Sequence, residues 1–311
     1  MIFTITPNIS IDKTYVIDGF HIDKIHRPLE QHTVAGGKGI NVARVYRTLG
    51  GEALAGGFIG GKSGISILSM LNDEGIPHQF VNVKDDSRFC IKVMDQQTNT
   101  QTEINEIGPE ITGDELQSML DLVEHLCEGC EVIVMCGSCP PGVPYSFYGE
   151  IVDIARRKGC LSLLDASGEH LAHAVKHSPD IVKPNQLELS HILGRSVASL
   201  QEIVEGALEV SHNYAIGKVV VTLGGNGCIA TDGKSVWKAK PPPIKFASAV
   251  GSGDSFAAGL LFALGNGEAL PQAIKLATAA GSANAATYRA GFCSQCSIIE
   301  LVDAVSISEM H

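Results

Sequence analysis

Short apolar runs alternate along the chain with longer stretches in which apolar residues recur every three or four positions. Ile2–Thr6 and residues 54–59, 132–136, 161–165, 181–183 and 219–223 read as short, buried strands of the parallel-sheet kind. Between them, residues 41–49 place Val42, Val45, Tyr46 and Leu49 on one helical face. Helices are also predicted over 64–74, from Thr112 (with Glu115 as a capping box), and over 144–158, 187–193, 255–264 and 271–286. Gly75 and Gly159 stand where two of them should end. The order predicts an α/β fold: a doubly wound, mostly parallel sheet with helices on both faces.

Two stretches break this alternation. Residues 15–33 and 88–107 read as extended and polar-alternating, with Phe89, Ile91 and Val93 on one parity and Lys92 on the other. Inserted between strand–helix units, they predict a small β-sheet lid over about 13–33 and 87–107, with a homodimer formed through it. No linker or repeat divides the chain, so residues 1–311 are expected to form one domain.

Hydrophobic residues make up 44% of the chain, enough for a large core. The formal net charge of −11 argues against nucleic acid or an anionic membrane as partner. An anionic small molecule stays open, because a local pocket decides its binding. No apolar run is long enough to span a membrane, and residues 1–5 lack a basic leader, so a cytoplasmic protein is expected. Nine cysteines include three C-x-x-C pairs: Cys127/Cys130, Cys136/Cys139 and Cys293/Cys296. The first two pairs are separated by only five residues, largely the apolar run 132–135, which favours core packing over a zinc module.

The candidate chemistry sits in five glycine- or proline-marked turns. Gly251-Ser252-Gly253-Asp254 opens an Ala/Gly-rich helix. Its amides and the helix dipole suit the charge of a transferring phosphoryl group, and Asp254 is placed to accept a hydroxyl proton. The plainer reading is a helix cap. Ala35-Gly36-Gly37-Lys38-Gly39-Ile40-Asn41 lacks P-loop spacing, and its amides with Lys38 and Asn41 suit a polyhydroxylated anion. In Lys183-Pro184-Asn185-Gln186-Leu187-Glu188, Asn185 and Glu188 share a helix face and suit Mg²⁺ held through water; a simple helix start is the alternative. Thr222-Leu223-Gly224-Gly225-Asn226-Gly227 and Gly137-Ser138-Cys139-Pro140-Pro141-Gly142 each follow a strand, where α/β sheets bind ligands.

These segments, in this order and over essentially the whole chain, resemble the ribokinase-like (PfkB) carbohydrate kinases. Ser87-Arg88, Lys92, Thr102-Glu103-Ile104-Asn105-Glu106, Gly108-Pro109 and Leu164-Asp165-x-Ser167-Gly168 resemble the hexose-phosphate branch. The Thr102–Glu106 run looks like 1-phosphofructokinase. The Lys183–Gln186 segment and Pro241-Pro242-Pro243-Ile244-Lys245 are similar to the minor 6-phosphofructokinase, and tagatose-6-phosphate kinase belongs to the same branch.

The resemblance implies ATP and Mg²⁺ as cosubstrate and cofactor, Asp254 as general base, and Gly251, Ser252 and Gly253 as anion hole. It implies Asp12, Gly37, Lys38, Asn41 and Ser138 on the sugar, with Arg88, Arg27 and Lys38 on its phosphate. It places Lys183, Asn185, Glu188, Thr222, Gly224, Gly227 and Asn284 on ATP and Mg²⁺. The expected reaction is fructose 1-phosphate to fructose 1,6-bisphosphate. Three positions depart from the pattern: a shifted proline before Asp12, Cys90 where Asn is usual, and Ala247-Ser248-Ala249 before the glycine turn. A kinase for a neutral sugar or nucleoside would not need Arg88, Lys38 and Arg27, and a silent sugar-phosphate sensor would not need Asp254.

Overall fold

A computed structural model describes residues 1–310. Among these residues the strands form two sheets. The central sheet takes β1 (Ile2–Thr6), β4 (Ala53–Gly60), β5 (His78–Val83), β8 (Val132–Gly137), β9 (Leu161–Ala166), β10 (Ile181–Val182), β11 (Lys218–Thr222), β12 (Cys228–Thr231), β13 (Val236–Lys240) and β14 (Ser306–Met310). Its order is β14-β13-β12-β11-β10-β9-β8-β1-β4-β5. The seven strands from β11 to β5 are parallel, and β12, β13 and β14 add an antiparallel edge.

Alternate residues of each central strand feed two cores, as a period of two requires. In β8, Val132, Val134 and Cys136 face one core while Ile133 and Met135 face the other. The first core packs α1 (Lys38–Thr48), α2 (Gly61–Asp73), α8 (Ser252–Gly265), α9 (Leu270–Ala285) and α10 (Gln295–Val302) on the sheet. The second packs α3 (Gly113–Leu126), α4 (Phe147–Lys158), α5 (Gly168–Ala174), α6 (Gln186–Leu193) and α7 (Leu200–Asn213). The helices therefore cover both faces, as the alternation predicts. Among the described residues no helix is long and apolar enough to cross a membrane.

The second sheet has four strands in the order β3-β2-β6-β7, from β2 (Ser10–Ile17), β3 (Glu30–Gly36), β6 (Arg88–Asp95) and β7 (Thr100–Asn105). The pair β2·β6 is parallel, the other two antiparallel. The extended stretch 15–33 is thus divided: its middle, about residues 18–29, is an exposed loop, and both strands reach further toward the body. Buried polar residues Ser10, Asp12 and Thr14 mask the strand pattern of β2.

Helix starts also moved. α1 begins at Lys38 and α8 at Ser252, so both glycine segments run directly into helices. Helix α4 begins at Phe147, after a turn. Seven of the nine cysteines are buried, with Cys139 half-buried and Cys296 exposed. Burial pushes the Cys127 and Cys139 thiols up to about 12, so they stay protonated at neutral pH.

Candidate active site

The carboxyl ends of β1, β8, β9, β10 and β11 converge where the small sheet faces the body. A polar cavity of about 380 Å³ lies there. Its walls come from both sheets: Ser10, Asp12, Arg88, Cys90, Lys92, Glu103 and Asn105 from the small sheet, and Lys38, Asn41, Asp165, Lys183 and Asp254 from the body. An apolar cleft of about 410 Å³ adjoins it, lined by Pro241, Pro242, Ile244, Phe246, Phe256 and small residues of α9. Gly253 and Thr222 line both.

Asp254 occupies the first turn of α8 and is 5% exposed. The turn before it needs a left-handed residue, Gly251 (φ +79°), whose missing side chain also admits Ala290. Ser252 and Gly253, in the first turn of α8, lie at the border of the two cavities, and the Ser252 amide donates to the Ala249 carbonyl at 3.2 Å. Burial pushes the Asp254 carboxyl above the usual carboxylate range, with Asp165 adding to the rise. Lys38, Lys183 and the Asn41 side chain, which donates to Asp254 Oδ2 at 2.8 Å, pull the other way.

Asp165 closes the floor. It is 1% exposed and accepts from Lys38 Nζ at 3.0 Å, with Lys183 Nζ at 2.9 Å from its second oxygen. Burial opposes its charge, yet Lys183 and Lys38 outweigh burial and hold its carboxyl below the usual range. The Lys38 ammonium is driven well above its ordinary value, chiefly by Asp165.

On the small-sheet side, Asp12 accepts from Ser10 Oγ at 2.6 Å and from Lys92 Nζ at 3.0 Å. Cys90 pairs with Asp12 in the β2·β6 register, and burial raises its thiol. Arg88 donates to the carbonyls of Asn8 and Glu106, which fixes its guanidinium in the cavity wall. Glu103 and Asn105 reach the cavity from β7.

The capping-box alternative at Asn185 and Glu188 is realised. Asn185 Oδ1 accepts from the Glu188 amide, and Glu188 Oε2 accepts from the Asn185 amide. Glu188 still lines the cavity, and burial raises its carboxyl. Its second oxygen is the donor left for a cation, and a divalent ion there would complete its shell with water and phosphate oxygens. The residues fit Mg²⁺ in that limited sense.

Most expected residues come together: Asp12, Gly37, Lys38, Asn41, Arg88, Lys183, Asn185, Glu188, Thr222, Gly251, Gly253 and Asp254 line the polar cavity, and Gly224, Gly227 and Ser252 the apolar cleft. Three do not. Arg27 lies on the exposed loop between β2 and β3. Ser138 is exposed beyond β8, outside both linings. Asn284 is fully buried beneath the glycine turn, donating to the Val250 carbonyl and accepting from the Gly291 amide, so it braces the turn and does not face the cleft. Lys38 differs in position: its ammonium sits on Asp165, toward Asp254. Lys92, Asp165, Glu103 and Phe246 join the walls without having been assigned roles from the sequence.

Residues 8–296 match the pfkB family of carbohydrate kinases. The chain is similar to a candidate phosphofructokinase from Staphylococcus aureus, at 32% identity and TM-score 0.84 over 100% of this chain and 99% of that one. It is also similar to phosphofructokinase-2 from Escherichia coli solved with fructose-6-phosphate, at 30% identity and TM-score 0.90 over 97% and 98%. A candidate 1-phosphofructokinase from Thermotoga maritima shares the fold, at 23% identity and TM-score 0.89 over 100% and 99%.

Proposed function

The chain belongs to the pfkB family of carbohydrate kinases and is an ATP-dependent sugar kinase of phosphofructokinase type; from that premise we propose that its acceptor is a ketohexose phosphate, with fructose 1-phosphate converted to fructose 1,6-bisphosphate. The observation that carries the reading is the pair of cavities meeting at Gly253, with Asp254 on the polar side. ATP takes the apolar cleft, its base against Phe246 and Ile244 and its terminal phosphate at the Gly251–Gly253 amides. The sugar takes the polar cavity, with hydroxyls at Asp12 and Asn41 and phosphate at Arg88, whose fork suits two phosphate oxygens. Lys92 adds a second cation on that side.

Asp254 accepts the proton of the acceptor hydroxyl. That oxygen then bonds the γ-phosphorus as the bond to the β-phosphate oxygen breaks, and ADP leaves with the electron pair. Lys38 and the glycine amides stabilise the negative charge on the transferring group. Mg²⁺ near Glu188, once bound with ATP, would neutralise phosphate charge. The small sheet acts as a lid that excludes water. Its exposed Ile22 and Ile25, each 90% accessible, and Ile107 make a second copy of this chain the proposed partner there.

Glu103 and Asn105, from the run that resembles 1-phosphofructokinase, support fructose 1-phosphate because they line the cavity. Similarity to the Escherichia coli enzyme favours fructose 6-phosphate as the second reading. Both furanoses present a hydroxymethyl at one end and a phosphomethyl at the other, so a few ring-hydroxyl contacts decide between them. The test is kcat/KM with ATP for fructose 1-phosphate, fructose 6-phosphate, tagatose 6-phosphate and free fructose. We expect the first to lead and free fructose to be the poorest. Comparable rates on free fructose would refute a phosphate-reading site.

A further inference from the structure

The Asn41 amide lies between two charged groups. Its Nδ2 is 2.8 Å from Asp254 Oδ2, and its Oδ1 is 2.8 Å from Arg44 Nη1. A guanidinium only donates. The amide atom that faces Arg44 is therefore the oxygen, and the group that faces Asp254 is the NH₂. Arg44 has no freedom of its own. It is 6% exposed, and its Nε and Nη2 meet the Glu74 carboxylate. Its Nη2 also donates to the Ala35 carbonyl at 2.9 Å, and the Phe292 ring lies 4.4 Å from its central carbon. These partners come from the end of α2, from β3 and from the segment after α9.

We propose that Arg44 is a positioning residue for phosphoryl transfer: it locks the Asn41 amide so that Asp254 always meets a hydrogen-bond donor. The proposal rests on the reading of Asp254 as general base. Its function is to keep a buried carboxylate ionised and one of its oxygens occupied, leaving the other for the acceptor hydroxyl. Without Arg44 the amide is free to turn and present Oδ1, which only a protonated Asp254 can satisfy.

The sign follows directly. A donor on a carboxylate favours the charged form and lowers its pKa; an acceptor favours the protonated form and raises it. The other groups around Asp254 are Lys38 on α1, Asp165 on β9, Lys183 after β10 and the Cys136 thiol on β8, with Asp12, Arg88, Cys90, Lys92 and Glu103 of the small sheet and Glu188 of α6 lining the same cavity. The substitutions below leave all of these in place.

The test is the pH dependence of kcat in Arg44→Met/Glu74→Gln, a pair that removes both charges so that neither is stranded. Arg44→Lys, which keeps a cation beside Glu74 but lacks the fork that reaches Glu74 and Asn41 together, serves if the double variant folds poorly. The acid limb should move up by about one pH unit, with turnover recovering to within a few-fold of wild type on the alkaline side. Loss of kcat by one factor at every pH, with the limb unmoved, would overturn the proposal. The same change is then made in Asn41→Ala, where nothing remains to orient and no further shift is expected. A full additional shift in that background would mean that Arg44 acts by charge alone, and would also overturn it. Asp254→Asn separates the two levels. Wild-type turnover in that variant removes the base reading itself, whereas an inactive Asp254→Asn with an unmoved Arg44 limb removes only the positioning role.

Discussion

Asp254 and Asp165 line the same cavity, and burial works against the charge of both. Their carboxyls are nonetheless pushed apart, the first above the ordinary range and the second below it. The difference lies in their partners. Asp165 has an ammonium on each oxygen, so its desolvation is compensated. Asp254 has one neutral amide in direct contact and feels its cations from further away. One environment makes a permanent anion that aims lysines; the other suits the proton acceptor proposed for Asp254. Separated pKa values of this kind are how a site divides its roles.

The strongest way to break the comparison is Asp254→Asn. It should lower kcat by about 10³-fold or more while ATP still raises the melting temperature; a fall of less than tenfold would end the base assignment. Next is Asp165→Asn, which strands two lysine charges. We expect a stability loss of about 3–5 kcal/mol, read by denaturant unfolding at pH 7. The sign of its pH dependence is fixed. A carboxyl held low in the fold stabilises above its unfolded value, about 3.9, and that stabilisation fades as pH falls through the folded value. The variant should therefore lose less stability on acidification than wild type, and equal acid sensitivity would count against the cluster. The finest probe is Gly253→Ala. An added Cβ meets nothing nearer than Lys183 Nζ at 3.7 Å, so the free protein accommodates it. The melting temperature should stay within ~2 °C, since Ala favours a helix, while kcat falls about 10²-fold as the terminal phosphate is displaced from the α8 amides. Unchanged kcat would move the phosphate elsewhere.

Six of the seven parallel strands were legible because they are short apolar runs between helical stretches; β5 was not, because this edge strand is half-exposed and mixes His78, Gln79 and Asn82 with apolar residues. The glycine segments at 36–41 and 251–254 were legible because a bend into a helix leaves a local mark. The antiparallel edge β12–β14 left a weaker one, since its short strands carry Lys238, Lys240 and Glu309 among apolar residues. Asp165 reads locally as the last polar residue of a strand, and its partner Lys38 lies 127 positions away. Arg44 and Lys92 are ordinary charged residues of a helix and a strand until the fold buries them. Asn284 carried the opposite error. The resemblance places Asn284 on ATP, whereas the fold buries its amide against the Val250 carbonyl and the Gly291 amide.

Strand β3 ends at Gly36 and helix α1 begins at Lys38, with Gly37 alone between them at φ +121°. The small sheet and the first turn of α1, which bears Lys38 and Asn41, are thus joined by a single residue of backbone. Under the proposed reading, the wall that holds the sugar and the groups around Asp254 are neighbours in the covalent chain as well as in space.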